Sequence, residues 1–139
     1  MKKIMFYINA IHDGGAERVM VNLAKYFSEN GYDTTLVTSF RDTWEYPLTS
    51  TVRRLTLEET EIKQSRIKRN ISRIKKLRDL CKSEKPDILV SFMEEPNFRA
   101  KLSGLLFYTR LNALCLQLLY KIGKSRDTRK NLGYALTNK

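Results

Sequence analysis

Two short polar segments hold the residues whose types and spacing suit ligand chemistry. The first is the loop Asn9–Glu17, directly after the apolar run Ile4–Ile8; it holds His12-Asp13-Gly14-Gly15-Ala16-Glu17, with Arg18 one step further. Paired glycines leading into a helix let the backbone approach a ligand closely and aim free N–H groups at it. They equally serve a plain strand-to-helix turn. Glu17 falls in the first helical turn, where the helix dipole favours a carboxylate with or without a ligand. Arg18 suits either a phosphate contact or a solvated helix position. His12, the only histidine, is a candidate acid/base or hydrogen-bonding group, or simply an exposed loop residue.

The second segment is Met93-Glu94-Glu95-Pro96-Asn97, after the apolar run Ile88–Phe92. Glu94 and Glu95 can accept hydrogen bonds from sugar hydroxyls, or one can cap the next helix while the other faces water. Asn97 reads as a hydroxyl-binding amide or an N-cap. No metal-ligand spacing occurs, so no metal is expected. The pattern is not GxGxxG, so a nicotinamide dinucleotide is not expected either.

These segments need elements to hold them. Ile4–Ile8 is a short, continuous apolar run of the kind found in strands buried on both faces. Val19, Met20, Leu23, Ala24 and Phe27 then recur at helical spacing over 16–30, and Gly31 stands where a left-handed cap belongs. Asp33–Ser39 is a second β-rich run, completing a β-α-β unit. Val52–Leu57 alternates in the manner of an edge strand.

Over 66–85, Ile67, Ile71, Ile74, Leu77 and Cys81 form an apolar stripe, and Lys68, Arg69, Arg73, Lys75, Lys76 and Arg78 a basic outer face. Lys85-Pro86-Asp87 ends that helix, Ile88–Phe92 is a further strand, and a helix starts near Asn97. The alternation predicts an α/β fold: a partial Rossmann-like, doubly wound parallel sheet of about four strands in the order 3-2-1-4, with flanking helices. In such a sheet the crevice opens beyond the first and fourth strands, where both polar segments fall.

The net charge of +11 is unevenly placed. Residues 1–60 carry seven basic and eight acidic side chains, and residues 61–139 nineteen basic and seven acidic. The basic half points to an anionic partner: a membrane surface, nucleic acid or a phosphorylated substrate. Nucleic acid is disfavoured, because no aromatic stacking platform or recognised motif accompanies the charge. Cys81 and Cys115 read as reduced core thiols of a cytoplasmic protein. Lys2-Lys3 before Ile4–Ile8 imitates a signal peptide, but Asn9, His12 and Asp13 cut the run short and no cleavage site follows. The expected location is cytoplasmic, peripheral on the inner face of the plasma membrane.

Gly14-Gly15-Ala16-Glu17-Arg18-Val19, with Asn22-Leu23-Ala24 and Asn30-Gly31-Tyr32-Asp33, resembles the start of a family 4 glycosyltransferase. Lys85-Pro86-Asp87-Ile88-Leu89-Val90-Ser91-Phe92 and Met93–Asn97 resemble the fourth strand and following loop of the same domain. The resemblance implies a retaining, nucleotide-sugar-dependent enzyme of the GT-B fold, of a kind that builds cell-surface polysaccharide in bacteria. Its partner would be a carbohydrate or lipid-linked acceptor, and its donor a nucleotide sugar, with no other cofactor. Gly14 and Gly15 would lie at the interdomain cleft near the acceptor or the donor phosphates, and Glu94 and Asn97 would line the acceptor side.

The resemblance ends near Ala100, as if the reading frame were disrupted there. It divides the chain into 1–100, an incomplete acceptor-side domain, and 101–139, a helical, basic tail. Within the tail Leu102–Ile122 is leucine-rich, with no fifth strand expected; Arg110, Asn112 and Gln117 make it a poor membrane span. The family's nucleotide-sugar domain is missing, so a truncated chain without activity of its own is expected. The alternative is a non-catalytic, membrane-peripheral or regulatory α/β module.

Overall fold

The computed structural model describes residues 1–60, 65–105 and 112–115. The elements run β1 (Lys3–Ile8), α1 (Gly15–Glu29), β2 (Asp33–Thr38), β3 (Arg53–Thr56), α2 (Arg66–Glu84), β4 (Ile88–Ser91), α3 (Glu94–Leu105) and β5 (Asn112–Cys115). All pairings are parallel, in the order β3-β2-β1-β4-β5. The 3-2-1-4 order is therefore as expected.

A fifth strand is the first departure. Asn112–Cys115 lies inside the segment expected to be helical and pairs with Ile88–Ser91, covering the edge of β4. Its four residues, Asn-Ala-Leu-Cys, lack β-branched side chains. Strand propensity is weak enough for the unpaired ladder of β4 to override it. Residues 106–111 and 116–139, and with them most of the expected tail, lie outside the described residues.

β1 is central, and its alternating side chains supply two cores. Ile4, Phe6 and Ile8 pack with Met20, Val21 and Ala24 of α1. Met5 and Tyr7 pack on the opposite face with Leu77 of α2 and Ala100 of α3. α1 thus covers one side of the sheet and α2 with α3 the other. In α1, Val21 takes the buried place expected of Val19, which is 48% exposed. After Asn30, Gly31 adopts φ 83°, and the Tyr32 N–H donates to the Phe27 carbonyl at 3.1 Å. The Phe27 and Tyr32 rings meet edge-on at 5.3 Å, the apolar contact that accompanies such a cap.

α2 departs from its expected stripe. Ile74 and Leu77 are buried, but Ile67 and Ile71 are 73% and 62% exposed. Leaving each isoleucine in water forgoes about 1.5–3 kcal/mol of burial. Arg73, expected on the outer basic face, is instead buried. Its Nε and Nη2 donate to Glu58 Oε2 at 3.0 and 2.8 Å, and its guanidinium stacks over Phe40. A buried carboxylate is what permits this inversion, and no helical period can reveal it. The helix ends at Lys85 in the left-handed region (φ 50°), with Pro86 barring continuation. Cys81 is half-buried and free, 3.9 Å from Met5 Sδ, and burial pushes its thiol up to about 11. The side chain of Cys115 lies outside the described residues.

Candidate functional site at the β1–β4 crevice

The chain leaves β1 toward α1 on one face and β4 toward α3 on the other, so a crevice opens between the two connections. Both connections are held in unusual backbone. Asp13 (φ 35°) precedes the N-cap of α1, and Met93 (φ 76°) precedes α3. Non-glycine residues in this region carry strain of about 1–3 kcal/mol and concentrate at functional sites.

α3 begins at Glu94, not near Asn97. The Met93 carbonyl accepts the first helical bond from Asn97 N at 3.0 Å. Pro96 is tolerated because its missing N–H falls in a first turn whose amides lack helical partners anyway. Glu94 is exposed in that turn. Asn97 is 1% exposed; its Oδ1 accepts from Ser91 Oγ at 2.7 Å, and its Nδ2 has no hydrogen-bond partner among the described residues. It is neither an N-cap nor a surface amide here.

Glu95 is the carboxylate that the fold holds at the crevice. Its Oε2 receives Arg99 Nη2 at 2.7 Å and Asn9 Nδ2 at 3.5 Å, and its Oε1 receives Arg66 Nη2 at 3.2 Å. Burial alone would raise its pKa. The Arg66 hydrogen bond, the Arg99 charge and the Asn9 hydrogen bond outweigh that and hold the carboxyl below the usual range. The side chain remains 33% exposed, so lone pairs still face solvent at the mouth.

Arg99 is completely buried. Its Nη1 donates to Asn9 Oδ1 at 2.5 Å and to Ser39 Oγ at 3.1 Å, and lies 3.5 Å from Tyr7 OH. Its Nε donates to Asn70 Oδ1 at 2.9 Å. One guanidinium thus ties β1, the end of β2, α2 and α3 together beneath Glu95. A buried cation requires this many acceptors. Arg99, Asn9, Ser39 and Arg66 were not among the candidates from sequence. Only the Glu95–Arg99 spacing of four residues on a helix was a readable signal.

The glycine segment lies across the crevice. A Cβ on Gly15 would meet nothing within 4 Å, so the backbone there is open to approach. A Cβ on Gly14 would fall 1.7 Å from Glu17 Oε2, because the Glu17 carboxylate folds back over the helix N-terminus. Gly14 is extended at φ −130°, a backbone that any residue adopts, and a Cβ there would only displace the flexible end of Glu17. Arg18 is exposed. His12 Nδ1 lies 3.2 Å from Asp42 Oδ2, within ion-pair distance, but angled so that no hydrogen bond forms. His12 therefore faces the loop after β2 in the structure. Among the described residues no group of His, Cys, Asp and Glu could hold a metal ion.

The arrangement is that of a Rossmann-like α/β domain with a polar crevice at the carboxyl end of a parallel sheet, carrying Glu95 on one wall and, on the other, the start of α1 with Gly15 uncovered and the Glu17 carboxylate lying against Gly14. The chain belongs to Glycosyltransferase Family 4, whose model matches residues 13–113. The match runs past Ala100, where the sequence resemblance was expected to stop, and reaches β5. Among solved structures, sucrose-phosphate synthase from Thermosynechococcus elongatus shares the fold, with a TM-score of 0.63 at 10% identity. The superposition covers 100% of this chain and 41% of the synthase, so the chain spans about two fifths of that enzyme's length. No curated protein sequence matches the chain significantly.

Proposed function

We propose that this chain supplies the acceptor-side half of a glycosyl-transfer site, in which a sugar passes from a nucleotide sugar to a carbohydrate or lipid-linked acceptor during cell-surface polysaccharide synthesis in the cytoplasm. The observation that carries this reading is Glu95. It is an ionised carboxylate braced by two arginines and an asparagine at the mouth of the crevice, inside a domain of this family. Such a carboxylate accepts a hydrogen bond from an acceptor hydroxyl and fixes its orientation. Gly15, open on the opposite wall, lets a ligand approach the start of α1, and the Glu17 carboxylate must swing aside for it to reach the first amides. Transfer itself requires groups that hold the nucleotide sugar, and we assign those to a second domain.

The test is an amide NMR titration of the chain with a neutral oligosaccharide and, separately, with a nucleoside diphosphate sugar. Saccharide-induced shifts should concentrate at Asn9, Gly14, Gly15 and Glu95. Gly15→Val should weaken binding more than His12→Ala does, and the chain alone should turn over no donor. Shifts confined to other surfaces, equal losses for the two variants, or donor turnover abolished by Gly15→Val would overturn the reading.

A further inference from the structure

We propose that the solvent face of α2 docks on an anionic phospholipid bilayer, through Ile67 and Ile71 set beside Lys68 and Lys75. The inference does not depend on sugar transfer.

Between Arg66 and Arg78 the helix carries seven cations and no carboxylate. Several are engaged within the fold: Arg73 and Lys76 by Glu58, and Arg66 by Glu95. Lys68 and Lys75 are exposed and have no carboxylate partner among the described residues. The first turn holds no acidic residue, and the Ser65 side chain makes no capping bond. Lys68 stands in the first turn, where a cation opposes the helix dipole, and Lys75 stands mid-helix, where the dipole neither favours nor opposes it, so helix stability accounts for neither. An external anion accounts for both.

The isoleucines point to the kind of anion. Ile67, Ile71 and Lys75 follow one another at four-residue steps on one face, with Lys68 one residue aside. Exposed aliphatic side chains flanked by lysines suit the boundary between lipid headgroups and acyl chains, where both find partners. A nucleic acid would satisfy the lysines and leave the isoleucines in water. No helix among the described residues is long and apolar enough to cross a membrane, so the contact lies along the bilayer surface. The face also abuts the crevice, since Arg66 on the same helix reaches Glu95. A bilayer docked there would lie beside the carboxylate assigned to acceptor binding.

The test is flotation of the 139-residue chain with phosphatidylcholine vesicles, with and without phosphatidylglycerol. Binding should require phosphatidylglycerol and fade as salt rises. Lys68→Gln with Lys75→Gln should weaken it about thirtyfold, and Ile67→Ser with Ile71→Ser about tenfold or more. Lys2→Gln with Lys25→Gln, which lie outside α2, should leave it unchanged. All variants alter exposed side chains, and circular dichroism checks that each is folded. The proposal is overturned by any one of four results. These are equal binding to neutral vesicles, α2 variants that bind as the parent does, and an equal loss from the Lys2 and Lys25 changes. The fourth is tighter binding to polyuridylate, or a concentration-dependent dimer, removed by the same α2 substitutions.

Discussion

Arg99 Nη2 stands 2.7 Å from Glu95 Oε2, one helical turn earlier on α3, and of the two only Glu95 reaches solvent. The arginine is the buried end of the pair and the carboxylate its working end. Among the described residues every other contact of Arg99 is to a neutral oxygen, so of these Glu95 alone balances its charge.

Removing the carboxylate should therefore be costly. Glu95→Leu leaves a buried guanidinium with dipoles but no counter-charge, and should destabilise the domain by about 2–3 kcal/mol. Glu95→Gln retains an acceptor and should cost less. Urea unfolding followed by circular dichroism compares the two; equal midpoints would show that the charge contributes nothing.

The same pair sets a pH dependence. The folded Glu95 carboxyl is held below its usual range by Arg66, Arg99 and Asn9 against the opposing effect of burial. Its contribution to stability is thus present above the unfolded-state value, about 4.3, and is lost as pH falls through the lower folded value. Arg66→Ala should raise the Glu95 value, seen by carboxyl carbon NMR, and reduce the loss of stability in acid. An unchanged titration would remove Arg66 from the account.

A second buried pair predicts a different pattern. The Arg73 and Glu58 side chains are each 2% exposed. Glu58→Ala should cost about 3–5 kcal/mol by stranding Arg73. Combining Glu58→Leu with Arg73→Met should recover most of that loss. Losses that simply add in the double variant would contradict the coupling.

Lys85 offers a gain instead. It closes α2 at φ 50°, where a side chain costs about 1–2 kcal/mol that glycine avoids. Lys85→Gly should raise stability by about 1 kcal/mol, after the greater flexibility of glycine in the unfolded chain offsets part of the relief. A lowered thermal midpoint would refute this.

What could be read along the chain was whatever depends on neighbours in sequence. The buried run Ile4–Ile8, the Gly31 cap, the Pro86 stop and the strand–helix alternation each have a local cause, and together they imply the 3-2-1-4 sheet and the position of its crevice. Other features were decided only when distant segments met. Arg73 is buried because Glu58, fifteen residues earlier, waits inside. Asn112–Cys115 becomes a strand because β4 presents an unpaired edge to it. Glu95 becomes the crevice carboxylate, and Glu94 the solvated one, because Asn9, just past β1, and Arg66 from α2 converge on it. Periodicity marks which side of a helix can be buried. The desolvation of a charge depends on a partner whose distance along the chain sets no limit on its distance in space.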